Sequence, residues 1–418
     1  MSISIEKSII LILSFLIVPS LITGPFLPDS FLVIFGLMIL YKKKFFKEII
    51  NTNFLSIILL FSCFYLILII STIISENPSL SFESSLFYFR YLFFTLSIIF
   101  YFREYKEAPK LIYFSIIFSF IILISDSIYQ LINGTNLTGY SKYQGQVNSF
   151  FGENKDGILG SYMSRILPIY LSLHYFLNPK QKIFELVKYI FIFITVVICI
   201  FTGERAAFIY SIITFLFYIF FIEKNFKTKF LIIGIIFISI CVSFIYEKQY
   251  YERYILLSKN ALNFSDNQIT IFSDVHTQHY ISAIKMFKDR PILGHGPKSF
   301  REQCSKLNYY TVRSCSTHPH NTYIQLLAET GLIGFILPFC VFLFTLFKLS
   351  KFCFNSVFHK TNIENYKVFA LLAIFINLFI FAPTGSFFNN WINVIYYLPI
   401  SLYLFYTYND KNLKIVVK

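Results

Sequence analysis

Residues 54–74 read FLSIILLFSCFYLILIISTII, a run of 21 residues without a charged side chain. As an α-helix this run would be about 30 Å long, which matches the hydrocarbon core of a bilayer. The 418-residue chain has the same character throughout, with 56% hydrophobic and 14% charged residues. Ordinary soluble proteins carry about a quarter charged residues, and transmembrane β-barrels show short alternating strands instead of long apolar runs. The sequence therefore predicts an all-α polytopic membrane protein.

Apolar runs of similar length recur along the chain. We predict about twelve transmembrane helices, near residues 8–23, 27–41, 54–74, 82–102, 111–131, 157–177, 185–202, 206–222, 230–247, 323–347, 366–382 and 391–408. The first run follows Lys7 but lacks a clear small-x-small cleavage site, so we interpret it as a retained helix and not a signal peptide. No internal repeat or separate soluble domain is visible, and we expect residues 1–418 to form one integral membrane domain.

The net charge of +14, from 36 Lys and Arg against 22 Asp and Glu, would suggest nucleic-acid binding in a soluble protein. In a membrane protein the charge must first be assigned to the two sides of the bilayer. Alternate connections collect most of the basic residues outside the long loop: Lys7, Lys42, Lys43, Lys44, Lys47, Arg103, Lys106, Lys110, Lys180, Lys182, Lys224, Lys227, Lys229, Lys348, Lys351, Lys360, Lys367, Lys411, Lys414 and Lys418. The positive-inside rule makes these connections and both termini cytoplasmic. Topology thus explains much of the charge, and we expect membrane lipids and no nucleic acid as partners.

One connection is much longer than the others. Residues 248–322, about 75 residues between the ninth and tenth predicted spans, lie on the outer side of the membrane in this topology. Loops of this length in compact proteins are usually functional or disordered. Residues 275–287 have the pattern of a short amphipathic helix, and breakers follow at Pro291, Gly294, Gly296 and Pro297. We expect the loop to be partly helical and to fold onto the outer face of the helix bundle.

Two of the seven cysteines, Cys304 and Cys315, lie in this loop. In an oxidising periplasm they would form a disulfide, which is the interpretation we favour. The alternative is a zinc site with His318 and His320, although Cys-x10-Cys-x2-His-x-His is not a familiar zinc spacing. The other five cysteines lie in or near spans, where buried apolar side chains are the simplest interpretation.

The densest polar cluster is STHPHN at residues 316–321, directly before the tenth predicted span. A histidine at this boundary can act as a general base near neutral pH and take the proton of a hydroxyl nucleophile. The alternative is that His318 and His320 only cap the helix and bond to backbone. The residues alone leave both interpretations open.

Three arginines lie at or within predicted spans. A charge at bilayer depth costs several kcal/mol, so it normally faces a polar cavity or a partner. For Arg90 we favour an ion pair with Glu83, about two helical turns away. Arg205 could pair with Glu204, extend to the interface or bind a pyrophosphate headgroup, because a guanidinium grips phosphate through paired donors. Arg165 lies nearer mid-span and could reach a cavity there. Two acids at membrane depth have no assigned role: Asp126 and Glu329.

Several segments together resemble a known signature. They are PILGHGPKSF at residues 291–300, HPHNTYIQLLAETGLIG at 318–334, TGERAAF at 202–208, and the segment from FFGENK at 150–155 to GSYMSRILP at 160–168. In this order they are similar to the motifs of the O-antigen ligase and O-antigen polymerase superfamily. The similarity covers about residues 150–345 in motifs and the whole chain in topology.

The resemblance implies an inverting glycosyltransferase of the bacterial inner membrane that needs no metal ion or cofactor and acts at the periplasmic face. Its donor would be an oligosaccharide on undecaprenyl pyrophosphate. The acceptor would be the lipid A-core in a ligase, which we expect here, or another lipid-linked glycan in a polymerase. His320 takes the place of the family's base and Arg205 that of an arginine that neutralises the departing pyrophosphate.

The sequence departs from the family pattern at one position. Many members carry a second arginine four residues before an aromatic of the loop helix, and counting back from Tyr280 gives His276. Either His276 contacts the phosphate, or Arg290 or Arg253 substitutes for the arginine. We therefore assign His276, Arg290, Arg165 and His318 as candidates for contacts with pyrophosphate or acceptor.

Two hypotheses from other classes remain. A flippase or transporter of lipid-linked glycans would have similar helices, but such proteins tend to show paired half-repeats and helices broken near mid-membrane. No such repeat is visible, and the polar residues cluster outside the predicted spans. An assembly protein whose histidines only cap a helix is the third possibility.

Overall fold

The structure of the protein is a computed structural model that describes residues 3–42, 45, 54–142, 145–152, 157–246, 248–256, 272–358 and 364–409. The α-helices in chain order are α1 (Ile3–Ser20), α2 (Phe26–Leu40), α3 (Phe54–Ile73), α4 (Pro78–Ser85), α5 (Arg90–Glu104), α6 (Ala108–Asn133), α7 (Leu159–Leu177), α8 (Lys182–Phe201), α9 (Arg205–Phe217), α10 (Phe226–Tyr246), α11 (Lys248–Tyr251), α12 (Asp274–Asp289), α13 (Phe300–Gln303), α14 (Thr322–Phe358), α15 (Asn365–Asn377) and α16 (Asn390–Asn409). The molecule is 77% helical, with no β-strand among the described residues, which confirms the all-α class.

Eight helical segments in the described part of the chain are long and apolar enough to cross a membrane, so the protein is a multi-pass membrane protein. The helices α2 and α15 are apolar but shorter. Each predicted span coincides with helix over most of its length, while the total of twelve stays a prediction. Some basic residues used for the topology lie outside the described residues: Lys43, Lys44, Lys47, Lys360, Lys411, Lys414 and Lys418.

Two predicted spans differ from the structure in their details. The span predicted at 82–102 is divided, because α4 ends at Ser85 and α5 begins at Arg90 after a turn. The span predicted at 366–382 ends early, at Asn377. Residues 378–389 instead form the connection to α16, and several of them bond to the turn that precedes α14.

The helix α7 lies at the centre of the bundle. Its residues from Leu159 to His174 are buried with the exception of Ser161, which is half-buried. A helix that is buried on every side must pack against neighbours all round, and α7 contacts α6, α8, α9 and α15. Its polar residues, Arg165 among them, are therefore enclosed by protein.

The loop segment at residues 272–321 folds against the first half of α14. The predicted amphipathic helix is α12, which is one residue longer at its start and two at its end than predicted. Ala283 and Met286 on its buried face pack with Phe300, Tyr309 and Ala328 in a small hydrophobic cluster. This cluster fixes the polar residues of the loop relative to α14.

Candidate active site

Four histidine rings meet beside the beginning of α14. The centroid of the His320 ring lies 4.2 Å from that of His318, 5.3 Å from that of His276 and 5.4 Å from that of His279. We call these four residues the histidine cluster. His279 is absent from the sequence-based assignment, although its spacing of three from His276 places both on one face of α12.

The start of α12 orients His276. Ser273 is the N-cap, and its Oγ accepts a hydrogen bond of 3.4 Å from the His276 backbone N–H. The same Oγ lies 2.9 Å from His276 Nδ1. The His276 ring also stacks on Tyr280, one turn further on, with an interplanar angle of 16°. The position four residues before Tyr280 therefore lies inside the cluster.

The turn before α14 carries His318 and His320. Asn321 caps the helix, because its Oδ1 accepts hydrogen bonds of 3.0 and 3.1 Å from the backbone N–H groups two and three residues further on. His320 has a φ of 60°, a left-handed conformation that is uncommon for residues other than glycine. Its carbonyl accepts a hydrogen bond of 2.9 Å from the Thr384 N–H, and the Thr384 carbonyl accepts one of 3.2 Å from His318 Nε2. Thr384 thus fixes both histidines, and no local pattern in the sequence indicates it.

The His320 ring is placed to exchange a proton with a hydroxyl group. Its Nε2 lies 3.1 Å from the Ser316 hydroxyl oxygen. Burial, followed by His318, His276 and His279, lowers the pKa of His320 to about 3. The ring is therefore neutral near pH 7 and has a lone pair with which to accept a proton.

Arg205 begins α9 next to the histidine cluster. Burial, His279 and Arg205 lower the pKa of His276 to about 4, which places the guanidinium within electrostatic reach of that ring. Arg205 is half-buried, and its guanidinium makes no hydrogen bond or ion pair with any residue in the described ranges. The positive end of the α9 dipole also lies at Arg205, where the helix begins. The start of α9 therefore favours the binding of an anion.

Glu204, one of the partners considered for Arg205, is bonded elsewhere. Its carboxylate accepts hydrogen bonds from the N–H groups of Gly160 and Ser161 at 2.7 and 2.9 Å. The side chain therefore caps the start of α7. A Cβ on Gly160 would lie 2.6 Å from the Thr202 hydroxyl, so glycine permits this close approach.

Arg165 is enclosed in the helix bundle. Only 1% of the residue is exposed. Its Nε donates to the Ser161 hydroxyl at 3.2 Å and its Nη1 to Asn377 Oδ1 at 2.7 Å, while the guanidinium carbon lies 4.9 Å from the centroid of the Tyr210 ring. The guanidinium is thus held by protein groups, and its contact with substrate stays a prediction.

Arg290 does not join the histidine cluster. Its guanidinium donates to the Ile74 carbonyl at 3.3 Å and to Glu76 at 3.4 Å, which ties the loop to the connection between α3 and α4. The side chain of Arg253 lies outside the described part of the chain. Of the three candidates for the second phosphate contact, the structure places His276 beside Arg205.

The predicted ion pair of Arg90 with Glu83 is wrong. Arg90 Nε donates to Asp29 at 2.8 Å, and Glu83 pairs with Lys298 at 3.3 Å. The prediction assumed one continuous α-helix between the two residues. Because a turn separates α4 from α5, residues seven apart no longer lie on the same helical face there. Arg90 therefore joins α5 to α2.

Two of the motif segments are held directly against each other. Gly331 interrupts α14 with a φ of 66° and a ψ of −169°. The N–H groups of Leu332 and Ile333 then donate to the carbonyls of Pro291 and Ile292 at 2.8 and 3.3 Å. A Cβ at Gly331 would overlap the Ile292 carbonyl, so only glycine allows this contact.

The buried acid Glu329 completes this contact. Its carboxylate accepts hydrogen bonds from the N–H groups of Lys298 and Phe300, both at 3.0 Å, and from the Gln325 side chain at 2.9 Å. The second acid without an assigned role, Asp126, likewise accepts hydrogen bonds from the residues that follow α6. Both acids therefore organise connections at the ends of helices.

Cys304 and Cys315 are joined by a disulfide in the structure. Neither thiolate is then available for the alternative zinc set with His318 and His320. Among the described residues, no group of three or more His, Cys, Asp or Glu side chains is arranged to hold a metal ion.

Residues 190–339 match the sequence model of a family described as O-Antigen ligase. Over these residues the chain is similar to the O-antigen ligase family. It contains Arg205, the histidine cluster and the two interlocked motifs, and the match confirms the resemblance to the O-antigen ligase and polymerase superfamily. Family members are glycosyltransferase-like enzymes that act on lipid-linked glycans. No curated protein matches the chain.

Proposed function

We propose that the protein is an O-antigen ligase that transfers a glycan from undecaprenyl pyrophosphate to a hydroxyl of the lipid A-core. It works in the bacterial inner membrane, with both termini in the cytoplasm and the histidine cluster at the periplasmic face. The observation that carries the proposal is the placement of His320: its Nε2 lies 3.1 Å from a hydroxyl oxygen, and its ring centroid lies 5.3 Å from that of His276, the histidine within electrostatic reach of Arg205. A base next to an anion site suits transfer from a phosphate leaving group to a hydroxyl.

In the proposed step, the acceptor hydroxyl occupies the place that the Ser316 hydroxyl has beside His320 Nε2. Nε2 accepts the hydroxyl proton as the oxygen attacks the anomeric carbon of the donor. The bond from that carbon to the phosphate oxygen breaks, and its electron pair leaves with undecaprenyl pyrophosphate. Because pyrophosphate is a good leaving group, one displacement with inversion suffices, without a covalent intermediate, a metal ion or a cofactor.

Arg205 and His276 receive the charge that develops on the leaving group. The guanidinium offers donors that are already oriented, and the start of α9 adds its dipole. Fixed donors of this kind stabilise developing charge because they need no rearrangement during the reaction. His276 serves as the second phosphate contact, which the family assigns to an arginine.

The remaining candidates act at the edges of this site. His318, bonded to Thr384, contacts the acceptor on the outer side of His320. Arg165 acts on the donor from the buried side through its electrostatic field, because its guanidinium is already bonded to Ser161 and Asn377. Arg290 acts indirectly, by tying the loop to the connection between α3 and α4.

The variants His320→Ala and Arg205→Ala test this proposal. We expect both to abolish glycan display on the cell surface at normal protein levels, and Arg301→Ala, which removes an exposed arginine of the same loop, to leave it unchanged. The readout is the lipopolysaccharide ladder on a gel together with the amount of protein in the membrane. Normal display in either site variant contradicts the assigned roles.

A deletion strain separates the proposed ligase from the other members of its superfamily and from a transporter. A ligase leaves full-length glycan on undecaprenyl pyrophosphate at the periplasmic face. Lipid A-core capped with a single repeat unit would identify a polymerase instead. Lipid-linked glycan retained on the cytoplasmic face would identify a flippase.

A further inference from the structure

Two buried tyrosine hydroxyls make no hydrogen bond among the described residues: that of Tyr280, whose ring stacks on His276 of the histidine cluster, and that of Tyr210. Tyr210 is 1% exposed and Tyr280 is 7% exposed. Buried phenol groups usually find an acceptor, because losing water without gaining a partner is unfavourable. Two such hydroxyls within electrostatic reach of each other suit an oxygen-rich ligand.

The two tyrosines connect the proposed phosphate site to the buried Arg165. Tyr280 lies one turn after His276 on α12, and the two rings stack. Tyr210 lies on α9, the helix that begins with Arg205, and its ring faces the Arg165 guanidinium. Burial raises the pKa of Tyr280, and Tyr210 raises it further, so the two phenols lie within electrostatic reach of each other.

The charges around the two hydroxyls favour an anion. Arg165 lies beside Tyr210, and Arg205 lies at the start of the same helix. The nearby carboxylate of Glu204 already accepts two backbone N–H groups of α7. Both phenols are protonated near pH 7, so each can donate one hydrogen bond. Donors between two guanidinium groups match the non-bridging oxygens of a pyrophosphate.

We propose that Tyr210 and Tyr280 donate hydrogen bonds to the pyrophosphate oxygens of the lipid-linked donor and form the inner wall of its site. This inference rests on the function proposed above and adds two binding residues to it. The pyrophosphate would then lie between Arg205 and His276 on the outer side and the two phenols on the inner side. Arg165, beneath Tyr210, is the positioning residue for that ring.

The variants Tyr210→Phe and Tyr280→Phe test the inference, because each removes the hydroxyl and keeps the ring. The matched control is Tyr101→Phe, which removes another buried tyrosine hydroxyl, on α5 near Glu6 and away from the cluster. The measurement is binding of undecaprenyl pyrophosphate to the purified chain in detergent, read as the ligand-induced rise in melting temperature and by titration calorimetry.

We expect each site variant to bind undecaprenyl pyrophosphate about tenfold more weakly, as loss of a hydrogen bond to a charged group implies. The melting temperature without ligand should stay the same or rise, because an unpaired polar group has been removed. The control should bind as the wild type does. Unchanged binding in both site variants would mean that a water molecule occupies the space, and would overturn the inference.

Comparison with undecaprenyl monophosphate provides a second measurement that does not depend on the amount of folded protein. The wild type should bind undecaprenyl pyrophosphate more tightly than the monophosphate. The ratio of the two dissociation constants should be closer to one in both site variants. An unchanged preference counts against the inference even if one variant is less stable. Failure of the proposed function has a different signature, which is retained transfer in Arg205→Ala or His320→Ala.

Discussion

The residue His320 combines two properties that a base at a phosphate site requires. It is neutral in the free protein because burial and three neighbouring imidazoles lower its pKa to about 3. A bound pyrophosphate would attract the proton that His320 accepts and so raise its pKa again. The value in the free protein and the value in the donor complex should therefore differ.

This difference predicts the pH dependence of the reaction. For the wild type, kcat/KM reports the free enzyme, so its acid limb should lie below pH 5, whereas the acid limb of kcat should lie at higher pH. The measurement is the transfer rate with purified donor and acceptor between pH 5 and pH 8. An inflection of kcat/KM near the ordinary histidine value of about 6.5 would contradict the neutral His320.

The loop histidines also predict how stability depends on pH. The pKa values of His279 and His295 are lowered by burial, and those of His276 and His320 lie at about 4 and about 3. Unfolding restores the ordinary histidine pKa of about 6.5. At pH values between the lowered pKa and this ordinary pKa, the unfolded chain therefore binds more protons than the folded protein. The contribution of these histidines to stability is therefore complete above about pH 6.5 and is lost as the pH falls towards 4.

Thermal unfolding in detergent at pH 7.5, 6.5 and 5.5 checks this dependence. The melting temperature should fall between pH 6.5 and 5.5, above the range in which most carboxylates titrate. The variant His276→Gln, which cannot take up the proton, should show a smaller fall. A melting temperature that rises as the pH falls from 6.5 to 5.5 would contradict the predicted destabilisation by histidine protonation.

Residue identities were more predictable than residue partners. Side-chain chemistry and position make His318, His320 and Arg205 candidates, and the family resemblance then singles out His320 and Arg205. The partner of Arg90 could not be predicted, because Glu83 is its neighbour only if one helix runs through residues 86–89. Asp29 belongs to another helix, and contact between distant elements leaves no local pattern.

At the scale of elements, the interlock of α14 with residues 291–300 positions the cluster. We predict that Gly331→Ala destabilises the protein by more than about 1–3 kcal/mol, because the new Cβ meets the Ile292 carbonyl and φ is positive. Glycan transfer should be lost with the displaced loop. The measurements are the melting temperature and the lipopolysaccharide ladder.

Gly234 provides the matched control for this substitution. It lies in α10, and a Cβ at this position would have no other atom within 4 Å, so Gly234→Ala meets open space. Replacing a helical glycine in this way should be neutral or stabilise by about 0.5–1 kcal/mol. Equal changes in melting temperature for Gly331→Ala and Gly234→Ala would show that the contact between α14 and residues 291–300 is not the cause of the destabilisation.

The elements themselves differed in how far the sequence predicted them. The helix α12 was predicted well, because its alternation of polar and apolar residues and the glycines and prolines after it are local signals. The early end of α15 was not, because the residues after Asn377 remain largely apolar and leave the helix to bond with the turn that carries His320. Tertiary contacts decided that boundary.

At the scale of the whole molecule, hydropathy predicted the helices but not their neighbours. The helix α10 is strongly apolar, and only 11% of its spanning window is buried inside the protein. The central helix α7 is buried almost throughout, yet it carries Arg165, Ser164 and Ser172. Lipid tails are as apolar as leucine, so hydrophobicity does not distinguish a lipid-facing helix from an enclosed one. Polar and small residues in a span are the better signal of a central position.

The orientation of the molecule yields the last prediction, which tests the charge argument independently of activity. The histidine cluster lies beside the loop that contains Leu307, which is 96% exposed, while the basic connection between α9 and α10 contains the exposed Asn225. If the positive-inside rule applies, these two positions lie on opposite sides of the membrane. A membrane-impermeant maleimide added to intact spheroplasts should label Leu307→Cys and not Asn225→Cys, and lysed membranes should label both. The unsubstituted chain is the control, since its five free cysteines lie in helices. Labelling of Asn225→Cys alone would invert the topology and place the cluster at the cytoplasmic face, where the proposed acceptor hydroxyl could not reach it.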